Sequence, residues 1–305
     1  MRTCTRTRSC RTARRTASLV TLGCVLSAIT AGCGSASSGS SPAPSVHGPV
    51  VVLYAGSLVP LMEHDVGPSF SKVTGVSFSG FGAGSSQLAN QIKGGVRVGD
   101  VFISASPLVD STLEGSANGG WVSWVVQFAS APLVLGYERH GRFAAALGTV
   151  SWERAVTRSG FLVGRTDPVL DPKGKLTVQV LQRAAQIDRD PSLLGLLQSA
   201  NNVFPEETLL GRLEAGQLDA GFFYANEAKE AGLATVGLSP VSLSASYTIT
   251  ILEHAPHHAA AMSFVSYLLG RSGRRLLTAD GLHVVTPPHV HGTGVPSGLR
   301  SVLGS

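Results

Sequence analysis

An α/β fold on a largely parallel sheet, in two lobes, is what this sequence predicts, and three observations predict it. Short apolar runs rich in valine, isoleucine and phenylalanine alternate with stretches of helical periodicity, the pattern of strands joined by crossover helices. Strand ends pass directly into helix starts with hardly a linker between them. The body that follows the N-terminal segment is roughly 260 residues, large for one hydrophobic core and suited to two lobes.

Taken in order, the first 32 residues stand apart from the fold. Arg2, Arg6, Arg8, Arg11, Arg14 and Arg15 form a basic head with no acidic residue, and "LVTLGCVLSAITAG" follows, ending at Cys33. This predicts an export signal, because the apolar run is too short and wrongly flanked for a membrane span. The ending "ITAGC" resembles a bacterial lipobox, although Thr30 stands where leucine is commoner. That resemblance implies a lipid anchor on Cys33 and an extracytoplasmic, membrane-tethered protein. Cys4, Cys10 and Cys24 fall within the signal, so the body beyond Cys33 has no internal disulfide to form. Residues 33–48 are small, polar and rich in serine and proline, and read as a flexible tether.

The charge balance divides the same way. The whole chain is +5, but without the six signal arginines it carries 18 basic against 19 acidic residues. A near-neutral body argues against nucleic acid as a partner.

In the body, "PVVVLY" (49–54) reads as a buried strand and "GVSFSGFGAG" as a strand ending in a glycine turn. "SSQLANQIKG" is a helix with Leu88, Ala89 and Ile92 on one face. "DVFISAS" (100–106), "SAPLVLGYE" (130–138) and "GFLVGR" (160–165) are further strands. "LTVQVLQRAAQI" and "PEETLLGRLEAGQ" are helices, the second with Pro205 near its first turn and Gly216 at its end. "LDAGFFYA" and "SYTITIL" (246–252) are strands, and "AAAMSFVSYLLG" is a late helix.

The junctions "YAGS" (54–57), "GAGSS" (82–86), "DPKG" (171–174) and "FPEET" (204–208) each place small, hydroxyl or acidic residues at a helix start. Helix N-termini carry free N–H groups and attract anions. Ligands of open α/β sheets sit beyond the carboxyl ends of the strands. Ser57 and Ser85 can each add a hydroxyl donor there, or each can be an ordinary helix cap. The loop "GRTDPVLDPKG" (164–174) sets Asp167 and Asp171 close to Lys173, with Pro168 and Pro172 excluding helix before it. Two readings are open for it: a solvated turn, or part of a site.

Together, "AGSL", "GSSQLA" and "GDVFISAS", then "RTDPVLDPKG" and "EAGQLDAGFFYANEA", resemble the molybdate/tungstate-binding proteins of ABC importers, in their tungstate-type, archaeal-like branch. The resemblance runs from about residue 49 to "LHVVTPPHV" and implies a two-lobe type II periplasmic-binding-protein fold. It also implies a ligand cleft between lobes joined by crossover strands. Lobe I would take 49–128 plus 247–305 and lobe II 129–246, with hinges near 129–135 and 244–249. Carried over, Ser57, Ser85 and Tyr224 are donors to the oxyanion, and Lys173 stands where the family offers a backbone N–H. Asp171 and Glu206 match two carboxylates that approach the metal of the bound oxyanion, though Glu207 leaves that alignment open by one residue. The resemblance implies a monomeric solute receptor rather than an enzyme. It would need no cofactor beyond its molybdate or tungstate ligand, and would serve an ABC permease and its ATPase.

Physics sharpens the two acids. A carboxylate beside a divalent oxyanion costs repulsion and desolvation unless it is a ligand, is protonated, or points away. The bland reading keeps Asp171 as a helix cap and Glu206 in an exposed first turn. Asp167 reads as structural, Tyr54 as packing, Asp100 as a tether for a neighbouring loop, and Trp121 and Trp124 as lobe packing. His254, His257, His258, His283, His289 and His291 read as solvated loop residues, lacking a cysteine partner or helical pair for a metal. The rivals are a sulfate, phosphate or ferric receptor on the same fold, and a secreted hydrolase. Neither Ser57 nor Ser85 lies in a G-x-S-x-G elbow, which counts against the hydrolase.

Overall fold

A computed structural model describes residues 48–304. The expected signal, Cys33 and all but the last residue of the expected tether lie outside the described residues.

Strand β1 (Val50–Ala55) is buried on both faces: Val50, Val52 and Tyr54 join one apolar cluster, and Leu53 joins a second on the other side. A strand covered twice reads as a continuous apolar run, which is how its sequence reads. One 3₁₀ turn (Gly56–Leu58) and a π-helical stretch (Leu61–Val66) lead to α1 (Gly67–Thr74). Next come β2 (Phe78–Ala83), α2 (Ser85–Lys93), β3 (Val101–Ser104) and α3 (Pro107–Asp110). The long β4 (Trp124–Tyr137) precedes α4 (Ala144–Leu147), α5 (Trp152–Val156), β5 (Val163–Thr166) and α6 (Pro172–Asp188). Then follow α7 (Ser192–Gln198), β6 (Val203–Phe204), α8 (Glu206–Glu214), β7 (Ala220–Tyr224), α9 (Ala225–Glu230) and β8 (Ala234–Gly237). The chain returns through β9 (Ser244–Ile251), α10 (His258–Leu269), α11 (Arg271–Asp280), β10 (His283–Gly292) and α12 (Arg300–Leu303).

The strands lie in the order β2-β1-β3-β9-β4-β7-β5-β6, with β8 and β10 also on β4. Parallel pairing holds β1 to β2 and β3 in one half, and β5 to β6 and β7 in the other. Two antiparallel strands, β4 and β9, join the halves. The first part of β4 pairs with β9 and β10, and its last residues from Leu133 pair with β7 and β8. A register shift between Gln127 and Ala129 bends it at the crossing. The result is the two-lobe α/β architecture expected, on a mixed rather than largely parallel sheet.

Each lobe fills its own share of core. Leu53, Leu88, Ile92 and Phe102 pack on one side of the first sheet, and Leu209, Leu213, Leu218 and Phe223 pack α8 onto the second. Burying a side chain of this size contributes about 1.5–3 kcal/mol. Several boundaries differ from the sequence reading. Strand β4 begins at Trp124 rather than 130, because its opening residues are buried between β9 and β10. Helix α6 begins four residues before "LTVQVLQRAAQI", because Asp171 caps it and Pro172 suits its first turn. His283, His289 and His291 lie in strand β10, not in loops, and His258 opens α10. Pro287 and Pro288 mask that strand in the sequence; the ladder breaks between Val284 and His289 and accommodates them.

Candidate functional site

Five parallel strands end around one point. Strand β1 delivers Ser57, β2 delivers Ser85, β5 delivers Thr166 and the loop to Asp171, β6 delivers Glu206, and β7 delivers Tyr224. All six residues are buried. The lobes touch here directly: the Gln87 N–H donates to the Leu170 carbonyl at 3.0 Å. A cavity of about 190 Å³ opens beside the junction, lined in part by Ala105, Ser106, Pro172 and Lys175.

The hydroxyls are partly committed. Ser57 Oγ and Tyr247 Oη lie 2.9 Å apart, and whichever donates, one hydroxyl hydrogen of the pair is left for another acceptor. Ser85 Oγ accepts from the Ala105 N–H at 3.1 Å, which leaves its own hydrogen to donate. Tyr224 Oη is buried without any hydrogen-bond partner, while Thr166 Oγ1 is buried with the Asp171 carboxyl as its neighbouring acceptor. A buried hydroxyl left unpaired costs about 1–3 kcal/mol, so that of Tyr224, beside two more with spare hydrogens, calls for an acceptor.

Asp171 caps α6 weakly, its Oδ1 accepting from the Lys173 N–H at 3.3 Å. Its Oδ2 is buried with no partner. The cap and the unpartnered acid are therefore two oxygens of one group. Burial, then the charge of Glu206, pushes the Asp171 carboxyl up to about 7, against the opposing pull of Lys173. Asp167 is structural, as read: its Oδ1 accepts from the Val169 N–H at 2.7 Å and closes the turn.

Lys173 has no exposed surface. Its Nζ donates to Glu206 Oε1 at 2.8 Å and Glu227 Oε1 at 2.6 Å, while its backbone N–H turns to Asp171. Burial alone would lower the ammonium, but Glu206, Glu227 and Asp171 outweigh it and hold it well above the usual lysine range. Glu206 is buried and Glu207 is exposed, so of the two it is Glu206 that faces Lys173. Glu227 Oε2 also accepts from the Tyr224 N–H at 2.8 Å, capping α9. Burial pushes the Glu227 carboxyl up to about 8.

Tyr247, Glu227, Thr166 and Asn226 were not among the residues singled out from sequence. Tyr247 sits mid-strand and reads as core. Glu227 carried a faint signal, standing three residues after Tyr224 where an acid caps a helix. Among the remaining candidates, Asp100 is a tether: its Oδ2 accepts from the Val51 N–H at 2.7 Å and its Oδ1 from the His257 N–H at 2.6 Å. Tyr54 packs in the core and donates to Glu63. Trp124 is buried, and Trp121 stacks edge-on with His254. Among the described residues no group of three or more histidine, cysteine or acidic side chains is arranged to hold a metal ion. None of their helices is long and apolar enough to cross a membrane.

Comparison with known proteins places this geometry in context. Residues 50–283 match the family model described as bacterial extracellular solute-binding protein. An uncharacterised solute-binding protein of Halobacterium salinarum is 32% identical over 214 residues, covering 69% of this chain and 66% of that one. A molybdate/tungstate-binding protein of Thermococcus kodakarensis is 23% identical over 348 aligned positions, covering 95% and 97%. The solved periplasmic molybdate-binding protein of Azotobacter vinelandii superposes with a TM-score of 0.61 at 18% identity, covering 76% of this chain and 98% of that one. At that identity the match speaks for the fold: a type II periplasmic-binding-protein architecture.

Proposed function

The chain belongs to the bacterial extracellular solute-binding proteins, and from that premise we propose that it captures molybdate or tungstate for an ABC importer. The observation that carries the reading is that buried hydroxyls of Ser57, Ser85, Thr166, Tyr224 and Tyr247 and the carboxyl of Asp171 gather at the strand ends, with Tyr224 Oη left without a partner. A tetrahedral oxyanion is an all-acceptor ligand, and these groups offer it donors. Hydrogen bonds to a charged group contribute about 1.5–3 kcal/mol each. Five or six, less the cost of closure, reach the roughly −12 kcal/mol of a nanomolar complex.

In this reading Asp171 faces the ligand. It either reaches the metal of the oxyanion as a hard oxygen donor or meets an oxyanion oxygen as a protonated donor, which its raised pKa favours. Glu206 is the second carboxylate, with Oε1 held by Lys173 and Oε2 turned towards Gly56. Lys173 balances the charge of the acids rather than supplying a free N–H. Sulfur does not expand its coordination as molybdenum and tungsten do, so the acids would also set selectivity against sulfate. The proposed receptor acts as a monomer without catalysis, tethered outside the cytoplasm through a lipid on Cys33, and delivers to a permease driven by its ATPase. Mass spectrometry of the exported protein tests the anchor: an unmodified N-terminus other than Cys33 rules it out.

A ferric reading gains one observation, the placement of Tyr247 with its ring 6.1 Å from that of Tyr224. Iron would need tyrosinates, and burial holds both phenols well above their usual range, with neighbouring carboxylates adding to it. Calorimetric titration with tungstate, molybdate, sulfate and ferric citrate, on wild type and on Asp171→Ala, Glu206→Ala, separates these. Tight binding of the first two alone supports the reading, and loss of it in the double variant makes the acids ligand contacts. Heat with none of them, or with sulfate or iron alone, overturns it.

A further inference from the structure

We propose that Asn226 is a positioning residue that couples lobe closure to ligand capture, holding the Ser57 turn from the opposite lobe and latching α9 to the end of α11. The proposal rests on the oxyanion-capture reading for its ligand. Asn226 is the second residue of α9 in the second lobe and is 1% exposed. Its Nδ2 donates to the Ser57 carbonyl at 3.2 Å and to Asp280 Oδ2 at 3.2 Å. Ser57 follows β1 and Asp280 ends α11, both in the first lobe. A carboxamide nitrogen has two hydrogens, and each has an acceptor across the interface. The orientation of the amide is not arbitrary, since the reverse would set Oδ1 against a carbonyl and a carboxylate.

Two further features build the same contact. Lys229 Nζ donates to the Ala279 carbonyl at 2.5 Å, at the negative end of α11 where a cation is favoured. Gly281 ends that helix at φ +105°, and a Cβ there would stand 3.1 Å from Lys229 Cδ and 4.0 Å from the Asn226 Cα. The missing side chain lets α9 approach the helix end, in a conformation that glycine adopts readily.

The coupling follows from which carbonyl is held. Ser57 presents the hydroxyl that pairs with Tyr247, and Asn226 holds the same residue by its backbone. Opening the lobes breaks both Asn226 bonds and releases the turn that carries the donor. Ligand and latch thus favour one state, and a latch raises affinity by raising the fraction of protein competent to bind. It does so without touching the oxyanion.

The test uses the full chain as wild type, Asn226→Ala, Asn226→Asp and Lys229→Ala, with Ser57→Ala as the control for a direct contact. Affinity and dissociation rate for molybdate are measured by calorimetry and stopped flow, and amide exchange at residues 276–282 by mass spectrometry. In Asn226→Ala, affinity should fall about tenfold, the worth of one to two hydrogen bonds, mostly through faster dissociation. Lys229→Ala should fall less and Asn226→Asp more, because the latter sets a carboxylate against Asp280. At saturating molybdate, exchange at 276–282 should rise in the Asn226 variants but stay at the wild-type level in Ser57→Ala. Unchanged affinity in Asn226→Ala, or unchanged exchange at saturation, overturns the latch. If wild type does not bind molybdate, the capture reading fails and the ligand-free proteins decide: faster exchange at 276–282 in Asn226→Asp keeps the latch, and equal exchange overturns it.

Discussion

A Cβ on Gly56 would stand 1.5 Å from Glu206 Oε2. The turn after β1 and the first residue of α8 come from different lobes, and only a missing side chain lets them meet. Glu206 cannot simply swing away, because Lys173 holds its other oxygen at 2.8 Å. Gly56→Ala should therefore impede closure while leaving each lobe folded. Overpacking of this kind costs about 1–3 kcal/mol, so affinity for molybdate should fall roughly 5- to 150-fold. Adding Glu206→Ala should recover part of the closure, seen by small-angle scattering with and without ligand. A compact liganded state in Gly56→Ala alone would sink this account.

Lys173 sits between the carboxyl groups of Glu206 and Glu227, with Asp171 beside them. Lys173→Met would strand the Glu206 charge and take the donor from Glu227, and breaking a buried pair from one side costs about 3–5 kcal/mol. Denaturant unfolding of the ligand-free protein should show that loss. Lys173→Met, Glu227→Gln should regain part of it by removing one unpaired acid. An additive double variant would mean that the two residues are not coupled.

Tyr224 Oη has no partner in the folded chain. Tyr224→Phe should therefore leave the melting temperature of the ligand-free protein level or slightly raised, since an unsatisfied buried group is removed. The same change should weaken oxyanion binding roughly 10- to 150-fold, the worth of one hydrogen bond to a charged acceptor. Equal affinity in calorimetry would show that this hydroxyl does not face the ligand.

Stability should decline as pH rises above the acid range. Burial pushes Asp110 up to about 8, with the Thr248 hydroxyl opposing and Glu114 adding; Glu227 is pushed to about 8 and Asp171 to about 7. Each holds a proton in the folded state at a pH where the unfolded chain has released it. Their contribution is thus fully present below the ordinary carboxyl range and is lost as pH climbs through 7 to 8. The melting temperature of the ligand-free protein should fall from pH 5 to pH 9, and Asp110→Asn should flatten the decline. A melting temperature that rises over this interval would contradict the burial of these acids.

The sequence by itself determined the fold class and most of the elements, and it pointed to a candidate site. Apolar runs such as "PVVVLY" read as buried strands, and small or hydroxyl residues at successive helix starts mark where an anion is welcome, because both are local consequences of side-chain chemistry. It also narrowed the second-lobe acids to Asp171 and Glu206, while Pro287 and Pro288 hid β10 and the tryptophan start of β4 went unread. Tertiary structure alone decided what each candidate touches. Lys173 looked like a backbone donor with an incidental charge, yet it is the buried counterion of Glu206 and Glu227, residues 33 and 54 positions away. Asp171 proved to be a cap through one oxygen and an unpartnered acid through the other. Tyr247 and Asn226 became visible only when β9 and α9 met the Ser57 turn from 190 and 169 residues along the chain. Burial and partnership arise from contacts between distant segments, and a local pattern of residues carries no record of which segment will fold against it.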